Sequence, residues 1–558
     1  MAAIGQGILY PLISYTAKGI ADAVIARATP DMLRWVLWEL AVAGGIVGLA
    51  RLAMDARMLL RSRMRLEARL LIVHKASELE LAELVDPAVQ DQLDSARGAA
   101  DMRPLVVVNE TLAVVRCGVS LICYSIMLSV FSTWTLLFLV VVIPGAAAEL
   151  WRGKLGGDGH RRRAGDARRL RYFHDTVFAD SAAAENRIYG VAPRMIERAH
   201  GIGQHLISDE RGEWRRSLPI SLACQMIPTL VINGIYLYMA VATVRGELTI
   251  GELTLYGMSL TGSQRLSQTL LLSVRAVLDG WEPLRGLFGF LDRPERATPA
   301  RLEAVPKRAT LRFEGVSFRY PGAEAWTIRN VDLEIAPGEF VAIVGGNGDG
   351  KTTLLKLLVG LLEPTEGRIT IAGRELAAWD TGQLRRCFAV LFQDFARYGF
   401  SAYENVAVGT AAAEPDEIAA ALRASSADEV IAQLPYGGDT ELIASLPGGA
   451  GLSGGQWQRL ALARAFVRND ADFVVLDEPT SALDAETEQR VIEHLRAEQG
   501  AKAIVLITHR SALLRPTDKI VLLDRGRLVR ENASTLLRHP RWTSGDPATE
   551  VVTERNSA

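Results

Sequence analysis

The 558-residue chain has little cysteine, few histidines and almost no net charge, and these shortages exclude several classes of function. Its four cysteines, Cys117, Cys123, Cys224 and Cys387, lie far apart or in apolar runs without a C-x-x-C pair. Neither a disulfide framework nor a zinc site is therefore expected, and buried, inert thiols fit the general habit of free cysteine. A formal net charge of −2 argues against a nucleic-acid partner, since phosphate backbones select strongly basic chains. A positively charged leader is missing ahead of the first apolar run (MAAIGQGILYPLIS), and more apolar segments follow it. The run therefore reads as a first membrane helix and not as a secretory signal. Internal repeats and low-complexity tracts are also missing.

What is present is a chain of two characters. Hydrophobic residues make up 49% and the mean hydropathy is +0.14, too apolar for a wholly soluble protein; charged residues reach 23%, too many for a compact all-membrane one. Apolar stretches approaching the roughly 20 residues that cross a bilayer fall near 4–25, 33–53, 105–128, 133–150, 217–243 and 250–275, which predicts about six spans. Long polar stretches separate the second span from the third (55–103) and the fourth from the fifth (151–216). The latter carries Arg161, Arg162, Arg163, Arg168, Arg169 and Arg171 beside a span. Positive charge next to a span marks the cytoplasmic side, so both long loops and both chain ends are expected there. The cluster lacks the interleaved aromatics of an RNA-binding patch. After Trp281 the stretch GFLDRPERATPARLEAVPKRA reads as a linker, and from Leu311 onward strand-like runs alternate with helical ones, as in an α/β domain with a parallel core. The expected organisation is an all-α membrane domain over 1–290, a linker over 291–308, an α/β phosphate-loop NTPase domain over 309–545 and a tail over 546–558.

Three apolar strands in the second half end in chemistry. Residues 340–344 (FVAIV) run into GGNGDGKTT, a phosphate loop from Gly345 to Thr352, with a helical run behind it. Its glycines let backbone N–H groups close on phosphates at a helix N-terminus. Lys351 can reach the β- and γ-phosphates, and the Thr352 hydroxyl can bind Mg²⁺. Asp349 is out of place beside phosphate, and its side chain is expected to turn out to solvent. Residues 473–476 end in Asp477-Glu478. The first carboxylate suits Mg²⁺ coordination through water or a second layer, and the second suits a general base orienting the attacking water. Residues 503–507 end in Thr508-His509, where an imidazole could contact the γ-phosphate.

Between these strands lies Leu452-Ser453-Gly454-Gly455-Gln456, followed by WQRLALARAF. Here the sequence resembles the ATP-binding cassette (ABC) superfamily over about 310–530. The resemblance implies that Tyr320 (FRYPG) stacks on adenine, Gln393 (LFQDF) is the Q-loop glutamine and a Mg²⁺ ligand, and Ser481–Asp484 is the D-loop. It also implies that His509 is the switch histidine, and that Asn347, Gly348, Gly350 and Thr353 join the nucleotide site. In that family two cassettes meet head to tail, each ATP lying between the phosphate loop of one and the signature of the other, so a second copy is implied. Gly454 and Gly455, at a helix start, offer N–H donors suited to a γ-phosphate.

The membrane half resembles the exporter type, whose long loops each carry a short coupling helix, placed by position near 85–92 and 184–190. The segment TELIASLPGGAG lacks the acidic-glycine element that many exporters carry before the signature. An ATP-driven exporter is the main expectation; a soluble ABC ATPase has no reason to carry six spans, and an ATP-gated channel or sensor stays open. For cargo, Lys18, Arg116 and Arg265 are ionisable groups in spans, and Gln264 and Gln268 share a helix face. Lys18 could instead pair with Asp22. The runs at 75–97 and 391–409 are similar to exporters of ribosomally made, modified peptides. An amphipathic or modified peptide is thus the expected cargo, with multidrug or lipid export as the alternative. No peptidase domain precedes the first span, so this chain is not expected to cleave a leader.

Overall fold

In a computed structural model the described residues are 1–131, 165–166, 169–177, 182–294, 304–410, 413–508, 513–515 and 518–529. The chain divides into two units, Met1–Glu78 with Pro87–Pro294, and Leu79–Asp86 with Glu295–Ala558.

The first unit is helical: α1 (Ala2–Ile25), α2 (Thr29–Glu78), α4 (Pro87–Ala100), α5 (Arg103–Phe131), α6 (Ala183–Ile188), α7 (Val191–Val244) and α8 (Ile250–Leu291). Among the described residues, four stretches are long and apolar enough to cross a membrane, in α1, α2, α5 and the second half of α7. The expected span at 250–275 is helical within α8, and its serines lower its hydropathy. Ser259 and Ser263 sit buried and donate to the carbonyls one turn back, at 2.7 Å each, which spares their hydroxyls a cost in an apolar setting. The expected span at 133–150, with Arg161, Arg162, Arg163 and Arg168, lies outside the described residues. Glycines let α5 and α8 approach closely, since a Cβ on Gly262 would come within 2.9 Å of Tyr124 and one on Gly280 within 2.6 Å of Val107. These contacts run in opposite directions along the two helices, so α5 and α8 are antiparallel.

The second unit is the α/β part. A six-stranded sheet runs β10-β9-β3-β8-β7-β6, with β3 (Phe340–Gly345), β6 (Phe388–Leu391), β7 (Phe473–Asp477), β8 (Ala503–Ile507) and β9 (Lys519–Asp524) parallel and β10 (Arg527–Val529) antiparallel at one edge. Strands β7 and β8 are buried along their whole length, as continuous apolar runs at the centre of a parallel sheet should be. A second, antiparallel sheet runs β2-β1-β4-β5, from β1 (Leu311–Phe318), β2 (Ile328–Ile335), β4 (Glu366–Ile371) and β5 (Arg374–Glu375). Helix α9 (Lys351–Leu358) follows β3 and buries Leu354, Leu355, Leu357 and Leu358 in the core that joins both sheets. Between β6 and β7 the chain inserts helices around α14 (Gly454–Phe466), with a core of their own. Cys387, just ahead of β6, is buried in the core that joins both sheets, and burial lifts its thiol to about 11, as expected of an inert group.

Helix α3 (Leu81–Val85) belongs to this second unit, although it comes from the loop after α2. Glu80 and Glu83 cap its start reciprocally, and Leu81 and Ala82 pack against the sheet core near Phe318 and Leu362. The range 85–92, where a coupling helix is expected, begins at the last residue of this helix. Asp86 is extended, and Pro87 opens α4, a helix of the other unit, so the break falls inside the expected range. The second expected coupling segment, 184–190, overlaps α6, and Gly190 follows in the left-handed region at φ 57°.

Candidate nucleotide and catalytic site

The phosphate loop spans the gap between β3 and α9 as the sequence requires. Lys351 Nζ donates to the Gly345 and Gly346 carbonyls at 3.0 and 2.7 Å, which places the ammonium at the loop's mouth. Thr352 Oγ1 donates to Asp477 Oδ2 at 2.8 Å, joining the loop to the end of β7. Thr353 is buried and shares a 3.1 Å hydrogen bond with the Tyr320 hydroxyl, while the Tyr320 ring meets Phe318 edge-on at 5.0 Å. Gly346, Asn347 and Gly348 are exposed along the crest, and Gly350 is half-buried at the helix start. Asp349 does not turn out to solvent: its carboxylate folds back onto the Gly346 N–H at 2.5 Å and the Arg525 N–H at 3.2 Å.

Strand order brings the remaining candidates to the same edge. Leu391 of β6 pairs with Leu476 of β7, and Asp477 pairs with Ile507 of β8. Gln393, Asp477-Glu478 and Thr508 thus leave adjacent strand ends beside β3, the edge at which open parallel sheets bind ligands. His509 lies outside the described residues. Asp477 is only 2% exposed, and this burial raises its carboxyl above the usual range, against the pull of the Thr352 hydrogen bond. The oxygens of Thr352, Asp477 and the exposed Gln393 are hard donors of the kind that suits Mg²⁺. Glu478 takes φ 50°, a left-handed conformation that costs a non-glycine residue about 1–2 kcal/mol. Its backbone is held there on both sides, the N–H by Ile507 O at 3.0 Å and the carbonyl by Gln458 Nε2 at 3.1 Å. Strain of this sort is retained where surrounding structure over-determines it, commonly at working sites.

Ser453 caps α14, its hydroxyl accepting from Gln456 N at 3.3 Å while Gln456 Oε1 accepts from Ser453 N at 2.9 Å. Gly454 and Gly455 form the first turn, and a Cβ on Gly455 would come within 2.6 Å of Ala482 O. The signature is tied to the catalytic strand end by Gln458, which sequence reasoning missed. Its side chain is 3% exposed and also donates to Ser481 Oγ at 3.2 Å and accepts from Ala482 N at 2.9 Å. Its one visible signal is an amide on the buried face of a helix whose neighbours Trp457, Leu460 and Ala461 are core. Arg459 adds a 2.6 Å ion pair to Asp484, the N-cap of α15 (Ala485–Glu498).

In the first unit, Lys18 pairs with Glu252 of α8 at 3.6 Å rather than with Asp22. Gln264 donates to Thr229 of α7 at 3.3 Å; Arg265 and Gln268 are exposed, and Arg116 is half-buried. With α5 and α8 antiparallel, Arg116 falls level with residues near 270, about two turns or less from Gln268 and Arg265.

A phosphate loop at the switch of a parallel sheet, a two-carboxylate strand end and a capped signature helix on an inserted lobe define a nucleotide-hydrolysing cassette. Residues 328–481 match the family described as ABC transporter. The chain is 28% identical over 462 residues to the subtilin transport ATP-binding protein SpaT of Bacillus subtilis, covering 82% of this chain and 75% of that one. It is 34% identical over 354 residues to an ATP-dependent lipid A-core flippase of Ralstonia nicotianae, covering 62% and 55%. A solved bacterial Atm1-family ABC exporter with ATP bound shares the fold over 96% of each chain, at a TM-score of 0.76 and 23% identity. Residues 328–481 are thus an ABC transporter cassette that hydrolyses ATP, and the chain as a whole has the fold of an ABC exporter, with several helices long and apolar enough to cross a membrane.

Proposed function

We propose that two copies of this chain form a homodimer that exports a modified or amphipathic peptide by alternating access. The observation that carries this reading is that one chain holds both halves of a composite ATP site. Lys351, Thr352, Asp477 and Glu478 gather at the strand ends, and a capped Ser453–Gln456 helix start stands on the inserted lobe. Each ATP would lie between the loop of one copy and the signature of the other. In this reading Tyr320 stacks on adenine, and the backbone of Gly345, Asn347, Gly348, Gly350 and Thr353 cradles the phosphates with Lys351. Thr352 and Gln393 hold Mg²⁺, with Asp477 behind Thr352. Mg²⁺, when bound, neutralises charge developing on the phosphates. Glu478 takes the proton of the attacking water as the bond between the β–γ bridging oxygen and the γ-phosphorus breaks, and His509 contacts the γ-phosphate. Arg169 and Arg171 beside a span favour a cytoplasmic cassette.

The peptide cargo is supported by the resemblance at 75–97 and 391–409 and by the match to a protein named for subtilin transport. Lipid export is the second reading, favoured by relatives named as lipid A-core flippases at 34% identity. Complementation tests the composite site. Chains carrying Lys351→Ala and chains carrying Ser453→Arg should each be inactive, and co-expression should restore ATP turnover through dimers that keep one intact site. An active monomer, or co-purified mixed dimers without turnover, would count against the homodimer.

A further inference from the structure

The acidic residue inside the phosphate loop has a built environment. Gly346 N–H donates to Asp349 Oδ2 at 2.5 Å, Arg525 N–H donates to Oδ1 at 3.2 Å, and Gly526 N–H donates to the Asp349 carbonyl at 3.1 Å. Arg525 and Gly526 form the two-residue turn between β9 and β10, both left-handed at φ 45° and 78°. That turn is itself wedged against the start of β2: a Cβ on Gly526 would meet Thr327 O at 2.4 Å, and Gly526 O accepts from Arg329 N at 2.8 Å. A Cβ on Gly346 would come within 2.9 Å of Asp349 Oδ2, so glycine at 346 leaves room for the carboxylate to fold in. Neither Lys351 nor any other cation forms an ion pair with Asp349 among the described residues; the Lys351 ammonium lies on the Gly345 and Gly346 carbonyls.

We propose that Asp349 is a positioning residue of the ATP site: it locks the phosphate loop to the β9–β10 turn and, as a fixed negative charge within the loop, loosens the loop's hold on nucleotide. The proposal rests on the loop being the ATP site and goes beyond it by assigning this residue two opposed effects. Two backbone N–H groups on one carboxylate hold the loop's shape, as charge-assisted hydrogen bonds do. The same carboxylate opposes the phosphates that the loop's N–H groups and Lys351 attract. Without it the loop should grip nucleotide harder and turn over more slowly, because product leaves late and the loop is less well fixed.

The test is carried out on the full chain in lipid nanodiscs, with Mg²⁺–ADP affinity and steady-state ATP hydrolysis measured for wild type, Asp349→Asn and Asp349→Ser. Asparagine keeps the shape and one acceptor but not the charge; serine is too short to reach Arg525, and it carries the test if the asparagine variant does not fold. Both should bind ADP about three- to tenfold more tightly at low salt. The difference should shrink in 0.5 M salt, where the Debye length falls to about 4 Å. Both should show lower KM and lower kcat together, with kcat lower for serine. A residue with only a structural role would raise KM and leave no salt dependence. Equal or weaker ADP binding by both variants, in an assay where Lys351→Ala abolishes binding, overturns the role of Asp349 and leaves the loop as ATP site. Wild-type protein that binds no nucleotide overturns both.

Discussion

At the scale of single residues, the catalytic end of β7 combines two carboxylates in unlike settings. Asp477 is buried and anchored by Thr352, whereas Glu478 is forced into a left-handed conformation by hydrogen bonds to Ile507 and from Gln458. Hydrogen bonds on both sides fix the Glu478 backbone in that strained conformation, as suits the proposed base. Glu478→Gln keeps the shape and removes the proton acceptor. ATP should still bind, while turnover falls by about 100-fold or more, read by phosphate release together with retained nucleotide. Near-normal hydrolysis by that variant would reassign the base.

At the scale of elements, the sequence was readable where the chemistry sits and less so where contacts are remote. The strands ending in GGNGDGKTT, Asp477-Glu478 and Thr508-His509 are short, apolar and rich in β-branched residues, so strand type and loop position follow from local pattern alone. Gln458 was not readable, because its partners Glu478, Ser481 and Ala482 lie 20 to 24 residues along the chain. For the same reason Lys18 was offered Asp22, one turn away, when its partner is Glu252 on another helix. The end of α3 was not readable because helical pattern continues across Asp86-Pro87 while the packing partner changes there. Another element contact gives the cassette a predicted sensitivity to acid. His494 of α15 packs its ring 4.6 Å from Phe466 at the end of α14, and burial lowers its pKa, against Glu498, which raises it, and with Lys502, which lowers it further. A base with a depressed folded pKa adds nothing above its unfolded value of about 6.5, and stability is lost as pH falls below that value towards the folded pKa. Thermal unfolding of the cassette should therefore shift downward as pH falls below about 6.5, and His494→Phe should flatten that slope. A variant with the wild-type slope would place the acid sensitivity elsewhere.

At the scale of the whole molecule, the cassette's chemistry is useful only if the membrane domain reads its cargo, and the groups available for that are few. Lipid-facing positions reject ionisable side chains, so Arg116, Arg265 and the nearby Gln264 and Gln268 are better placed on a cavity than on lipid. Gln264 already bonds Thr229 across to α7, and the antiparallel packing of α5 and α8 sets Arg116 within about two turns of Gln268 and Arg265. Two copies of the chain would bring four arginines to one cavity, which favours an anionic or carboxylate-bearing cargo over a cationic drug. Arg265→Ala should then raise the half-maximal concentration of an anionic peptide for ATPase stimulation about tenfold, the scale of a lost charged hydrogen bond. Basal hydrolysis should stay near wild type, because the cassette is untouched. If wild type and variant are stimulated equally, or cationic dyes alone stimulate, the cationic cavity is the wrong reading; stimulation by lipid alone would favour the lipid exporter.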